Sequence, residues 1–229
     1  MDSCTRGRKM KEKKKAIFLG DSITEGVGVS NIKNVYWRLV GESLGLDVEG
    51  YGVSGTRIAA QKKEINVAHR ENFIERAQRM DKNADIVCVF GGTNDYGHGD
   101  APIGNIDDET PDTFYGALNT LFSYLCEIYS DSYIFVMTPL HRLREDDPKG
   151  DGYKEPMLPL SGYVKVIREV AEKYSIPVLD LYKVSGMQPS VASIKEKYMP
   201  DGLHPNDEGH KKLAFLIEKF LTNTSIALF

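Results

Sequence analysis

The run Ile86-Val87-Cys88-Val89-Phe90 puts five apolar residues in a row. A strand with one wet face alternates apolar and polar residues, whereas a strand covered on both faces reads as a continuous apolar run. That pattern belongs to a parallel sheet lying between layers of helix. Five short runs rich in β-branched and aromatic residues fit it, at 16–20, 47–51, 85–90, 133–138 and 177–181. Between them the period changes to that of helices. Phe114, Leu118, Leu121, Phe122, Leu125, Ile128 and Tyr129 form one apolar stripe. Tyr163, Val164, Ile167, Val170, Ala171 and Tyr174 form a second, and Leu213, Leu216, Ile217, Phe220 and Leu221 a third. A shorter helix is expected over 36–44, ending near Gly45, and a charged, less regular one over 65–80. Alternating strand and helix predicts a parallel sheet with right-handed crossovers and helices on both faces.

The chain of 229 residues can bury a substantial core. No polar linker separates its βα units, so a single domain over 16–229 is expected, preceded by a basic tail. Arg6 to Lys15 holds seven basic residues and one acid, Glu12. A charge run of this kind stays solvated, and 1–15 is read as a structureless tail rather than a membrane or nucleic-acid arm. Elsewhere the balance is mildly acidic, with a formal charge of -4 and an isoelectric point near 5.8. That composition gives no reason to expect a nucleic-acid partner. Ala16-Ile17-Phe18-Leu19 is too short for the apolar core of a secretory signal, and no stretch approaches a membrane span. A cytoplasmic location is the expectation. Cys4, Cys88 and Cys126 form no CxxC pair, and the latter two read as small buried hydrophobes.

In an open parallel sheet the ligand crevice forms outside the carboxyl ends of the strands. The first strand is followed by Gly20-Asp21-Ser22, with a glycine-rich exit through Gly26 and Gly28. The second is followed by Gly52-Val53-Ser54-Gly55-Thr56-Arg57, and the third by Gly91-Gly92-Thr93-Asn94-Asp95. The fifth leads on to Asp201-Gly202-Leu203-His204-Pro205-Asn206. One sheet edge therefore gathers a hydroxyl, glycine amides, a carboxamide, and an imidazole beside a carboxylate. Acyl transfer requires those parts. An alcohol needs a base to take its proton, and the oxyanion that follows needs donors aimed at it. Ser22 is the candidate nucleophile and His204 the candidate base, an imidazole having an unperturbed pKa of about 6.5. Asp201, three residues earlier, can hold the imidazole Nδ1-H and leave Nε2 facing Ser22.

These four blocks, in this order from residue 20 to residue 206, resemble those of the SGNH hydrolase superfamily, the GDSL esterases and lipases. The resemblance implies a flavodoxin-like three-layer α/β/α sandwich, here on the five-stranded parallel sheet read above, with ester hydrolysis through an acyl-enzyme; no cofactor or metal is expected. Carried over by position, Ser22 resembles the nucleophile and one oxyanion donor. Gly55 resembles the second-block donor, Asn94 the third-block carboxamide, and Asp201 and His204 the final Asp-x-x-His. A small-molecule or carbohydrate ester is the expected substrate.

Plainer readings stand beside these. Ser22 alone could be an N-cap, and Gly52 and Gly55 could simply supply positive φ. Asp21 reads as a turn residue bonding backbone amides. With His141 and Arg142, at the head of the long connection 140–160, it is also a candidate substrate contact. His69 and His98 read as surface or loop residues. His204 and His210 with Asp201 match no standard zinc spacing. The long connections, 96–112 and 140–160, carry Asp107-Asp108-Glu109 and Arg144-Glu145-Asp146-Asp147 rather than an apolar lid. That favours acetyl or other short acyl groups on a sugar over long-chain lipids. The alternatives are a lysophospholipase or thioesterase of the same mechanism, and a non-catalytic flavodoxin-like module binding a cofactor or a glycan.

Overall fold

The computed structural model describes residues 13–61, 71–148 and 158–223. Its five strands are β1 (Lys15–Gly20), β2 (Asp47–Gly52), β3 (Ile86–Phe90), β4 (Tyr133–Met137) and β5 (Val178–Leu179). All neighbours pair in parallel, in the order β2-β1-β3-β4-β5. The helices are α1 (Ser22–Glu25), α2 (Tyr36–Leu44), α3 (Phe73–Ala77), α4 (Thr93–Gly97), α5 (Phe114–Ile128), α6 (Leu160–Lys173), α7 (Leu181–Val184), α8 (Ala192–Tyr198) and α9 (Asp207–Asn223).

Side chains alternate across a strand, so each apolar run feeds two cores. Ile17, Leu19, Val87, Val89 and Val136 pack with α3, α5 and α6. Ala16, Phe18, Ile86, Cys88, Phe90, Phe135 and Met137 pack with α2 and α9 on the other face. The result is a three-layer α/β/α sandwich with flavodoxin-like strand order. The order in which strands are added reverses between β1 and β3, where the crevice of such a sheet opens.

Three expectations need correcting. The sequence pattern predicts the fifth strand over 177–181, but only Val178 and Leu179 form it. The Asp180 side chain accepts from the Lys183 amide, and this cap turns Leu181 into α7. In place of a helix over 65–80, α3 starts at Phe73, because Asn72 and Glu75 form a reciprocal capping box there. Residues 62–70, with His69, lie outside the described residues. The connection expected to begin at Tyr96 begins later, since Tyr96 and Gly97 complete α4 and Tyr96 is buried.

Of the basic run, Lys15 is the first residue of β1, and residues 1–12, with Cys4, lie outside the described residues. So does 149–157 of the connection after β4. Cys88 is buried and Cys126 half-buried. No helix among the described residues is long and apolar enough to cross a membrane.

Candidate active site

Ser22 is the first residue of α1, where an amide has no carbonyl partner within the helix. Asp21 caps this turn by accepting from the Ile23 amide at 3.1 Å, and Gly26, with φ of 101°, ends it one turn later. The Ser22 Oγ lies 3.0 Å from His204 Nε2, across 182 residues of sequence. On the far side of the ring, His204 Nδ1 lies 2.6 Å from Asp201 Oδ2. The other carboxylate oxygen accepts from the Leu203 and His204 amides, at 2.8 and 2.7 Å. Asp201 therefore folds its own loop and grips the imidazole with the same carboxylate. Burial alone would raise the Asp201 pKa, but the bonds from the His204 amide and ring and the Leu203 amide outweigh it. They hold the carboxyl below its ordinary value.

Two contacts press the His204 loop against the chain that leaves Ser22. Gly28 has φ of +98°, and a Cβ there would stand 2.4 Å from the Pro205 carbonyl oxygen and 3.3 Å from His204 Cβ. Asp207 accepts from the Ser30 amide at 2.8 Å, the Ser30 hydroxyl at 2.6 Å and Asn34 Nδ2 at 2.9 Å.

The loops after β2 and β3 bring in Gly55 and Asn94. Gly55 sits at φ of +73°, where a side chain would be strained. Its carbonyl is 3.4 Å from His98 Nε2. Asn94, in α4, gives one N-H of its amide to the Thr56 carbonyl at 3.0 Å. The NH2 group carries a second hydrogen, which that bond leaves for another acceptor. Asp95 ties the same loops together by accepting from the Ile58 and Ala59 amides at 3.0 and 2.9 Å.

Beneath Ser22, Asp21 is buried, and burial pushes its carboxyl up to about 6 against the pull of the Ile23 amide and the charges of Arg76 and His204. It borders a void of about 10 Å³, closed by Ile23, Phe90, Leu140 and Leu203 among others. Such a space holds about one water molecule. Arg76 is buried nearby; burial brings it down to about 10, while the Asp21 charge opposes the fall. Its Nη1 donates to the Tyr51 carbonyl at 2.7 Å and its Nη2 to Thr56 Oγ1 at 2.9 Å.

The structure thus brings Ser22, His204 and Asp201 into one chain of contacts, with Asn94 joined to the Gly55-Thr56 turn. His141 and Arg142 are engaged elsewhere. His141 Nδ1 is 2.8 Å from Glu145, and its ring lies 3.9 Å from that of Tyr182. Arg142 is buried over the Tyr96 ring and donates to the Thr93 carbonyl at 3.3 Å, next to Asn94. His210 lies in α9, where its Nδ1 accepts from the Tyr36 amide at 3.1 Å. Burial pulls it down to about 4.

Sequence reasoning missed Glu25, Arg76 and Asp207, all of which brace the loops of the site. Only Arg76 left a trace, as a charged residue between Phe73 and Ala77 in a buried stripe.

The model of the GDSL-like Lipase/Acylhydrolase family matches residues 18–212. A solved structure of a protein from Lactobacillus plantarum is 27% identical, with a TM-score of 0.80, over 94% of this chain and 100% of that one. The lipase/acylhydrolase from Enterococcus faecalis is 23% identical, with a TM-score of 0.62, over 92% and 96%. An acetyl xylan esterase, AlAXEase, is 20% identical, with a TM-score of 0.59, over 93% and 100%. No curated protein matches the chain.

Proposed function

The chain belongs to the GDSL-like Lipase/Acylhydrolase family, and from that premise we propose that it is a serine ester hydrolase working through an acyl-enzyme on Ser22. The observation that carries this reading is the 3.0 Å approach of Ser22 Oγ to an imidazole already gripped by Asp201. Asp201 oriented on Nδ1 leaves Nε2 as the acceptor. As Oγ attacks the ester carbonyl carbon, Nε2 takes the hydroxyl proton and the Asp201 carboxylate steadies the imidazolium. The carbonyl oxygen becomes an oxyanion facing the Ser22 amide, the Gly55 amide and Asn94 Nδ2. Collapse of the tetrahedral species breaks the bond to the alcohol, which leaves with the proton from His204. Water then repeats the sequence on the acyl-enzyme, and the acid is released.

The substrate class in this reading is a short acyl ester, in the first instance an acetyl group on a carbohydrate. The charged connections after β3 and β4 support it. The likeness to an acetyl xylan esterase is consistent with it through the fold alone.

The test is Ser22→Ala assayed with p-nitrophenyl acetate, together with an acyl series from acetate to palmitate and acetylated sugars. Ser22→Ala should abolish turnover with the melting transition preserved, and kcat/KM should fall as the acyl chain lengthens. Undiminished hydrolysis by Ser22→Ala would reject the nucleophile, and a rise toward palmitate would reject the short-acyl assignment.

A further inference from the structure

The segment that carries Gly55 is gripped from two sides by side chains that no step of this reaction uses. Glu25 stands three residues beyond Ser22, on the same turn of α1. Its carboxylate accepts from the Ser54 amide at 2.7 Å and also from the Ser54 hydroxyl. Ser54 is the neighbour of Gly55. The approach is close because position 52 is glycine: a Cβ there would lie 2.0 Å from the Glu25 amide nitrogen. From α3, the Arg76 guanidinium holds the Tyr51 carbonyl and the Thr56 hydroxyl, the residues flanking 52–55. The Thr56 hydroxyl in turn donates to the Val53 carbonyl at 2.7 Å.

We propose that Glu25 and Arg76 are positioning residues that fix the Gly55 amide relative to Ser22, Glu25 by tying Ser54 to the nucleophile's own helix and Arg76 by pinning both ends of the loop. This rests on the reading of Gly55 as an oxyanion donor. A glycine at positive φ has a wide range of backbone states open to it, and something outside the residue must select one. An oxyanion donor acts only if it stands about 2.7–3.1 Å from where the charge develops. Displacement by about 1 Å at a reacting centre costs on the order of a hundredfold in rate. The interaction strengthens in the transition state, so its loss appears in kcat and leaves KM nearly unchanged. A brace that served only to hold the fold together would instead show in the melting temperature.

The experiment is steady-state hydrolysis of p-nitrophenyl acetate by the full chain carrying Glu25→Ala, Glu25→Gln or Arg76→Lys, beside wild type and Ser22→Ala. Each variant's melting temperature and its affinity for a small alkyl trifluoromethyl ketone, which mimics the tetrahedral species, are measured in parallel. Glu25→Ala is expected to lower kcat at least tenfold with KM within twofold, and to weaken the ketone by the same factor. Its melting temperature should be unchanged, since Glu25 is exposed. Glu25→Gln keeps an oxygen for the Ser54 amide and should recover most of the rate. Arg76→Lys reaches one of two acceptors and should show an intermediate loss. Wild-type kcat in Glu25→Ala, with Ser22→Ala inactive, overturns the clamp while leaving the serine mechanism standing. A loss in Glu25→Ala that tracks a lowered melting temperature also overturns it. A wild-type chain that hydrolyses no ester removes the mechanism and the clamp with it.

Discussion

Asp201→Asn is the substitution whose outcome the geometry determines most fully. The two carboxylate oxygens of Asp201 face different partners: Oδ1 takes two backbone amides, and Oδ2 meets His204 Nδ1. In the asparagine variant the carboxamide oxygen must remain on the amides, because an NH2 there would set donors against donors. The NH2 is then turned toward Nδ1, which can accept only if it carries no proton. The neutral ring must therefore hold its proton on Nε2, the atom that faces Ser22, and cannot take the hydroxyl proton. In a serine-protease triad the same change costs about 10⁴ in kcat. The Asp201 side chain is 55% exposed, so water screens part of its effect on the imidazolium and can compete for Nδ1. An expected loss of about 10²–10³ in kcat/KM follows, read with p-nitrophenyl acetate near neutral pH. Asp201→Ala makes no demand on the tautomer and should be no worse than Asp201→Asn. Activity of Asp201→Asn within fivefold of wild type would refute the tautomer argument, and a far more damaged Asp201→Ala would show that the carboxylate acts mainly by holding the loop.

Two further outcomes are expected. Gly28→Ala combines a strained positive φ with overlap at the Pro205 carbonyl; it should cost about 1 kcal/mol or more and lower the melting temperature by at least about 2–4 °C. The same shift should lower kcat by moving His204, and a Gly28→Ala enzyme with wild-type kcat would show that the contact does not position the imidazole. Asp21 and His210 set opposing slopes of stability against pH. The raised Asp21 carboxyl contributes stability that is full below about 3.8 and lost as pH rises through about 6. The depressed His210 contributes stability present above 6.5 and lost as pH falls toward about 4. Between pH 4 and 6 the two largely cancel, so Asp21→Asn should expose the His210 slope, up to about 3 kcal/mol by urea unfolding across that range. A variant whose acid dependence matches wild type would refute the pairing.

The parts of the fold that could be read from sequence were those with a period. Ile86 to Phe90 is apolar at every position because successive residues feed different cores, and α5 shows its stripe because one face meets the sheet. The fifth strand ends earlier than its sequence pattern predicts because Leu181 resumes the apolar run of Val178 and Leu179 past Asp180, while the deciding event is a single side-chain cap on the Lys183 amide. Such a cap has no periodicity to announce it. The 65–80 pattern failed similarly, at the Asn72 and Glu75 capping box.

In the candidate site, legibility divides by the kind of physical constraint. Ser22, Asp201 and His204 stand out as candidates in the sequence because acyl transfer restricts the residue types, and because Gly20 and Gly202 lie beside them. Glu25 and Arg76 could not, since any side chain of suitable length can hold a backbone amide or carbonyl, and the need for it arises only once the loop's path is fixed. Glu25 binds Ser54 across 29 residues and Arg76 binds Tyr51 across 25, distances at which no local pattern couples the partners. A sequence motif therefore records the atoms that must react, whereas the side chains that hold those atoms in register are distributed according to topology. In a sheet ordered β2-β1-β3, the Gly55 loop lies beside the turn bearing Ser22, and the residues available to join them come from whichever helices the crossovers lay over that junction, here α1 and α3.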